Sequence, residues 1–325
     1  MTKKSIIAAS MLAAFTAMPS NAAIIFEFDY STNDAGVGFL DSTEGDSRKA
    51  ALDTAGNMFS ELFGGYFSNS GTINLEVTSS DDSNSSTLAS AGSYVNSECF
   101  DTGKCLTNEL IKTELQTGVD ANGDELDGSV DVNWGWDWEL DPDTPADFGA
   151  SEFDFYATIF HELTHALGFG SGINLDGSGY FNDEWTTFDT FLQDSNGNSI
   201  LDNAFTLDQA AWDDAKEGGS GDGIFFGGAN ALAANGGNAV GIYSPTSWEE
   251  GSSGSHVDGV PFPTDMMKYD RDFGPETRTY SDIDVAILTD LGYTRVAAAS
   301  VPEPGTIGLG LIALVSGLIV RRRKA

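Results

Sequence analysis

A chain of 325 residues, 40% of them hydrophobic, can fill one large domain or two subdomains, which excludes a chain too polar to fold. The formal net charge is −35, and residues 24–300 hold 49 of the 50 acids but only 9 of the 15 bases, a net of −40. Such a body repels nucleic acid and anionic membrane surfaces, so neither is expected as its partner; it suits salty surroundings or divalent cations.

In chain order, Lys3 and Lys4 precede an apolar run over 6–17, and Ser20 and Ala22 stand where a small-residue cleavage site belongs. Residues 1–22 therefore read as a signal peptide. An amphipathic helix is the alternative, but the run lacks polar residues at helical spacing. Apolar alternation predicts a strand over 24–30, and Ala51, Ala55, Met58 and Leu62 mark one face of a helix over 48–63. A strand over 72–77 precedes a Ser/Asn-rich loop over 81–97, within which 87–91 has the length of a short strand. Cys99 and Cys105 are the only cysteines. In an oxidising compartment they would close a disulfide loop contributing roughly 2 kcal/mol.

Beyond them, Asp120, Asn122, Asp124 and Asp127 offer oxygens at alternating positions, as calcium loops do. Residue 125 is Glu where an EF-hand needs Gly, so the choice lies between some other calcium site and a solvated loop. A strand is expected over 128–134 and an acidic loop over 137–149. The strongest helix begins at 152 or 154 and runs to 167, with Ser151 and Asp154 as candidate caps and Gly168 as a left-handed stop. After Gly168 the pattern weakens. Short helices are expected over 184–192 and 207–216, a polar turn at Asp194, Asn196, Asn198 and Asp202, and a last helix over 281–291 capped by Ser281 and ended by Gly292. The order predicts an α+β fold. Its parts are a signal peptide (1–22), an N-terminal subdomain carrying the strong helix (23–170), a loop-rich C-terminal subdomain (171–297) and a tail (298–325).

That tail reads Val301-Pro-Glu-Pro304, then an uncharged segment over 305–320, then Arg321 to Lys324. Sixteen helical residues span roughly 24 Å, short of the ~30 Å hydrocarbon core by an amount that snorkelling arginines can cover. Basic residues stay cytoplasmic, so the body would lie outside. The three parts together closely resemble the PEP-CTERM sorting tail. The resemblance implies membrane insertion before processing, an exosortase-type partner and delivery to the envelope surface or medium; a permanent anchor is the alternative.

The strong helix contains His161-Glu162-Leu163-Thr164-His165. Residues four apart share a helix face, so both imidazoles can bind one ion, while Glu162 is turned about 100° away and can reach a water without ligating. Two histidines and an open position suit catalytic zinc, which needs one more protein ligand. His256 is the only other histidine. In that scheme Glu162 takes a proton from water and passes it to the leaving amine.

HELTHALGFG resembles the opening of the metzincin zinc-peptidase motif, with Gly168 as its turning glycine. The compact pattern puts the third ligand three residues later, where this chain has Ser171, so the spacing is closer to the leishmanolysin-like arrangement, in which an insertion precedes the third histidine. The stretch from Ser255 to Tyr293 follows that family's closing order of histidine, methionine turn and helix ending in Asp-Leu-Gly-Tyr. The resemblance implies a mixed sheet with the active-site helix above a loop-rich C-terminal subdomain, and a protein or peptide substrate extended along an edge strand. It makes Met267 the methionine beneath the metal, with Met266 as runner-up, and gives Tyr269 a place near the zinc or the oxyanion. The strand over 128–134 is the expected edge. Two alternatives stay open: Glu184 as third ligand in place of His256, and a surface or matrix protein whose zinc is structural or vestigial.

Overall fold

The computed structural model describes residues 23–100, 104–143, 148–180 and 184–297; the signal peptide and the sorting tail lie outside the described residues. β1 (Ile24–Asp29) leads through α1 (Gly45–Tyr66) to β2 (Gly71–Ser80), which pairs with β1 in parallel. β3 (Ala89–Ser93) follows, then a hairpin of β4 (Val95–Cys99) and β5 (Cys105–Glu109) whose last pair is the Cys99–Cys105 disulfide. α2 (Leu110–Thr117) and β6 (Gly128–Asn133) come next. The main sheet has the order β1-β2-β6-β3, with β6 parallel to β2 and antiparallel to β3. The fold is thus α+β with a mixed sheet.

This order corrects one expectation: β6 is interior and β3 is the edge. Val130 and Val132 are buried, as a central strand requires, and a side chain at Gly128 would meet the Gly92 carbonyl at 2.3 Å. The segment Ala-Ser-Ala-Gly-Ser has no β-branched or aromatic residue to announce β3. It pairs because β6 offers a free ladder, not because its own side chains demand it.

A two-residue pair, β7 (Trp138–Glu139) with β8 (Phe153–Asp154), leads into α3 (Phe155–Ala166). Every residue of α3 except His165 is buried, so its stability comes from packing on all sides. α1 and α3 meet across Phe59 and Phe160, ring centroids 6.1 Å apart, and Phe59 and Phe63 also touch Tyr280 and Tyr293 near the C-terminal end of the body. Each such ring contributes about 1.5–3 kcal/mol by leaving water. Asp154 caps α3 through the Ala157 amide at 3.0 Å and is gripped by Arg278, whose Nη2 lies 2.9 Å away and whose Nη1 holds the Pro142 carbonyl. Gly168 ends the helix at φ +91°, a left-handed turn that other residues resist.

Past Gly168 the elements are short: β9 (Leu192–Gln193), α4 (Gln209–Ala215), β10 (Ile224–Phe226), α5 (Ala229–Ala234) and β11 (Val240–Ile242), with β9, β10 and β11 forming one antiparallel sheet. The helix expected over 184–192 shrinks to a 3-10 turn at Phe188–Phe191. The buried Asp189 carboxylate draws the Thr186 and Gly172 amides and the Ser171 hydroxyl onto itself, which competes with helix continuation. Burial pushes that carboxyl up to about 6. The polar turn forms as expected, with Asp194 accepting from the Asn196 and Asn198 amides. α6 (Asp282–Asp290) starts in a capping box between Ser281 and Asp284. The described residues from 23 to 295 form one compact unit.

Replacing Asp154 with Ala strands Arg278 in a dry site and uncaps α3, so urea unfolding should show a loss of about 3–5 kcal/mol. Asp154→Asn keeps a cap oxygen and should lose clearly less; equal losses would deny the cap its share.

Candidate metal centre

α3 sets His161 and His165 one turn apart, with their Nε2 atoms 3.1 Å from each other. His256 Nε2 lies 3.1 Å from each of them, closing an equal-sided triangle. His256 follows His165 by 91 residues, and backbone contacts on both sides deliver it. The Tyr243 amide donates to the His256 carbonyl at 2.8 Å, and the Val257 amide donates to the Met267 carbonyl at 2.8 Å. Ser171 and Ser255 clasp the two ends of the insertion, the Ser171 amide donating to Ser255 Oγ at 3.1 Å. Ser171, in the place of the compact motif's third ligand, thus helps to hold the chain that carries His256.

Each ring is also fixed from behind. Nδ1 of His161, His165 and His256 lies 2.7, 2.6 and 2.8 Å from the carbonyls of Met266, Phe169 and Ser252. A carbonyl only accepts, so Nδ1 carries the proton and Nε2 turns a bare lone pair to the centre. Burial depresses all three rings, His161 well below its usual range, His165 to about 4 and His256 to about 3, which keeps them neutral. Three lone pairs facing one another repel unless a cation lies among them. Nitrogens 3.1 Å apart fit zinc: a point about 2.0–2.1 Å from all three lies about 1 Å off their plane and leaves a fourth corner free. Imidazole also accepts manganese or cobalt.

Arg271 complicates one ring. Its Nη2 donates to the Met266 carbonyl and lies 2.7 Å from His161 Nδ1. If His161 accepted that proton it would carry its own on Nε2, bridging the triangle in place of a cation. With only nine bases in residues 24–300, Arg271 stands out in composition, but no motif in the sequence ties it to His161.

Glu162, the residue after His161, is buried. Burial pushes its carboxyl up to about 8, opposed by the Arg271 charge and by the Ala91 backbone amide. That amide belongs to β3, so the edge strand reaches the same carboxylate as the histidine helix.

The methionine turn is buried at both Met266 and Met267. Met266, the runner-up, faces α3, with its sulfur 3.8 Å from Thr164 Oγ1 and its carbonyl on His161. Met267 serves through its carbonyl. Tyr269 stands partly exposed with its ring stacked on Tyr243 at 3.6 Å; among the described residues no hydrogen bond joins it to the histidines. Glu184 lies elsewhere, one oxygen within 4.8 Å of the Cys99 and Cys105 sulfurs, so it is not positioned as a third ligand. Two surface hollows, one lined by Phe225, Gly241 and Phe262 and the other by Asn174, Asp176 and Glu250, include none of the histidines.

Below the turn, Asp284 accepts from the Met266 and Ser281 amides while facing Asp265, and both carboxylates are buried. Two buried carboxylates that repel each other resist ionising together. Burial, then mutual repulsion, raises Asp284, and burial raises Asp265. Tyr293 donates to the Leu167 carbonyl at 2.8 Å, closing the C-terminal end of α3.

Residues 300–324 match the PEP-CTERM protein-sorting motif. The chain is accordingly an exported protein directed to the cell envelope or surface, and the motif implies recognition by an exosortase-type sorting enzyme. No curated protein matches the chain as a relative. Among the described residues no helix is long and apolar enough to cross a membrane.

Zinc analysis of the purified protein should return about one ion per chain, lost in His256→Ala and kept in Glu184→Ala; the opposite pattern would exchange the ligands. The raised Asp284 carboxyl stabilises the fold while protonated, and that contribution fades as pH climbs to its folded-state pKa. Wild type should therefore lose roughly 1.4 kcal/mol per pH unit relative to Asp284→Asn between about pH 4 and about pH 7, with little further change above. Parallel stability curves would show that no proton is held there.

Proposed function

We propose that this protein is an exported zinc-dependent endopeptidase. The observation that carries the reading is the triangle of three Nε2 atoms, each ring anchored through Nδ1 to a backbone carbonyl, two of the rings on a helix whose next residue after His161 is the buried Glu162. His161, His165 and His256 would hold the ion. Zinc bound there supplies Lewis acidity, which makes water acidic near neutral pH and polarises a carbonyl.

The chain's own groups supply the rest. Glu162, dry and one residue after His161, removes the proton from water when ionised and returns it to the leaving amine. The Ala91 amide and Arg271 favour its ionised form, and a dication at the triangle acts in the same direction. β3 pairs with β6 on one side only, so its outer edge can accept an extended peptide as an added strand. Such a strand passes beside Glu162, with its amide bonds presented to the triangle. Tyr269 can contribute to oxyanion binding only after leaving the Tyr243 stack.

A structural zinc site closes its shell with a fourth protein ligand, and the group gathered here contains three histidines. A structural site also needs no general base, which makes Glu162 the discriminating residue. Purified protein with zinc should hydrolyse casein, and Glu162→Gln should cut the rate by about 10²–10⁴-fold while keeping the metal. Wild type that holds zinc tightly yet never cleaves, or a variant that cleaves equally well, would leave a surface or matrix protein as the reading.

A further inference from the structure

A second constellation lies away from the histidines. Glu114 on α2, Asp120 and Asp127 each place an oxygen within 4.8 Å of the other two. Glu114 is 6% exposed and Asp127 1%, so two of these carboxylates are cut off from water. Among the described residues no ion pair includes any of the three. Burial raises Glu114 and Asp127, and their acidic neighbours raise them further.

Hydrogen bonds satisfy only part of the cluster. Glu114 Oε1 accepts the Thr72 amide and Asp127 Oδ2 the Asn74 amide, both at 2.8 Å, while Asp120 Oδ1 accepts the amides of Asn122 and Gly123. Glu114 Oε2 is buried with no partner, and so is Asn122 Oδ1, whose amide nitrogen is fixed by the Leu126 carbonyl at 3.1 Å. A buried acceptor left unpaired costs about 1–3 kcal/mol, more when charged. Oxygen donors alone, negative in sum and borne partly on a loop, are what a hard divalent cation requires, and calcium tolerates their irregular geometry better than magnesium does.

We propose that Glu114, Asp120 and Asp127 bind a divalent cation of the calcium class. The alternating run of Asp120, Asn122, Asp124 and Asp127 hinted at calcium, but Asp124 is exposed and its place in the cluster is taken by Glu114 from the preceding helix. The position gives the ion a mechanical role. The Asp127 carbonyl accepts the Tyr94 amide at 2.7 Å and the Ser93 hydroxyl at 3.1 Å, so the loop that would hold the ion also holds the end of the edge strand β3. The ion braces the C-terminal half of α2, the start of β2 and that edge together.

The test is calorimetric titration of the full-length protein with calcium chloride in zinc-containing buffer, beside thermal melts of wild type, Glu114→Gln and Asp127→Asn. Expected are a dissociation constant on the order of 10⁻⁴ M and a rise in melting temperature of roughly 5 °C at millimolar calcium. Magnesium should bind at least about tenfold more weakly. Both variants should lose the calcium-induced rise yet, stripped of metal, melt no lower than wild type, because each removes a repelling charge. Folded wild type that gives neither heat nor shift, or variants that keep its calcium affinity, would overturn the proposal. So would a melting temperature that climbs on acidification to the same extent with and without calcium, since a proton would then occupy the cluster instead.

Discussion

Three imidazole lone pairs held 3.1 Å apart in a dry interior form an arrangement that expels itself unless something holds it. The carbonyls of Met266, Phe169 and Ser252 hold it from behind, and none of these is free to relax. The Phe169 carbonyl follows the tight turn at Gly168; that of Met266 lies in a turn pinned by Asp284; that of Ser252 precedes His256 in a loop tied to Tyr243. Much of the surrounding architecture can be understood as resistance to the repulsion. Asp154 and Arg278 fix the start of α3, Tyr293 fixes its end, and the aromatic contacts with α1 press it against the sheet.

Where residues encode structure locally, the sequence was legible. α3 appears between Asp154 and Gly168 because one side chain caps it and one glycine can turn it. α6 appears after Ser281 for the same reason, and the histidine spacing announces a shared face before any fold is known. What was opaque depends on partners distant in the chain. β3 overlaps the short strand expected over 87–91 but has no β-branched or aromatic residue, and it becomes an edge only because β6 is available. The helix expected over 184–192 fails because Asp189 is recruited by Gly172 and Thr186. The carbonyls behind the histidines leave no mark in side-chain identity at all. Glu114 belongs to α2, an eight-residue helix that is not among the expected elements, and its meeting with Asp127 depends on the pairing of β2 with β6.

The acidic body, the disulfide and the sorting motif describe one environment. A net charge of −40 over residues 24–300 keeps an exported domain dispersed in salty surroundings, and the Cys99–Cys105 bond persists where thiols oxidise. The same charge enriches cations near the surface. Both candidate ion sites exploit that field differently: neutral nitrogens select by ligand softness and tautomer, whereas clustered oxygens select by charge density.

The clasp between Ser171 and Ser255 has an evolutionary meaning. Because the two ends of the intervening chain touch, the chain between them is a closed loop, and lengthening a closed loop adds only about 0.6 kcal/mol per doubling. Stretches of that chain away from Tyr243 and Ser252, which hold His256, can be lengthened or trimmed without shifting the third ring, so selection is free to reshape that surface while the histidine triangle stays where it is.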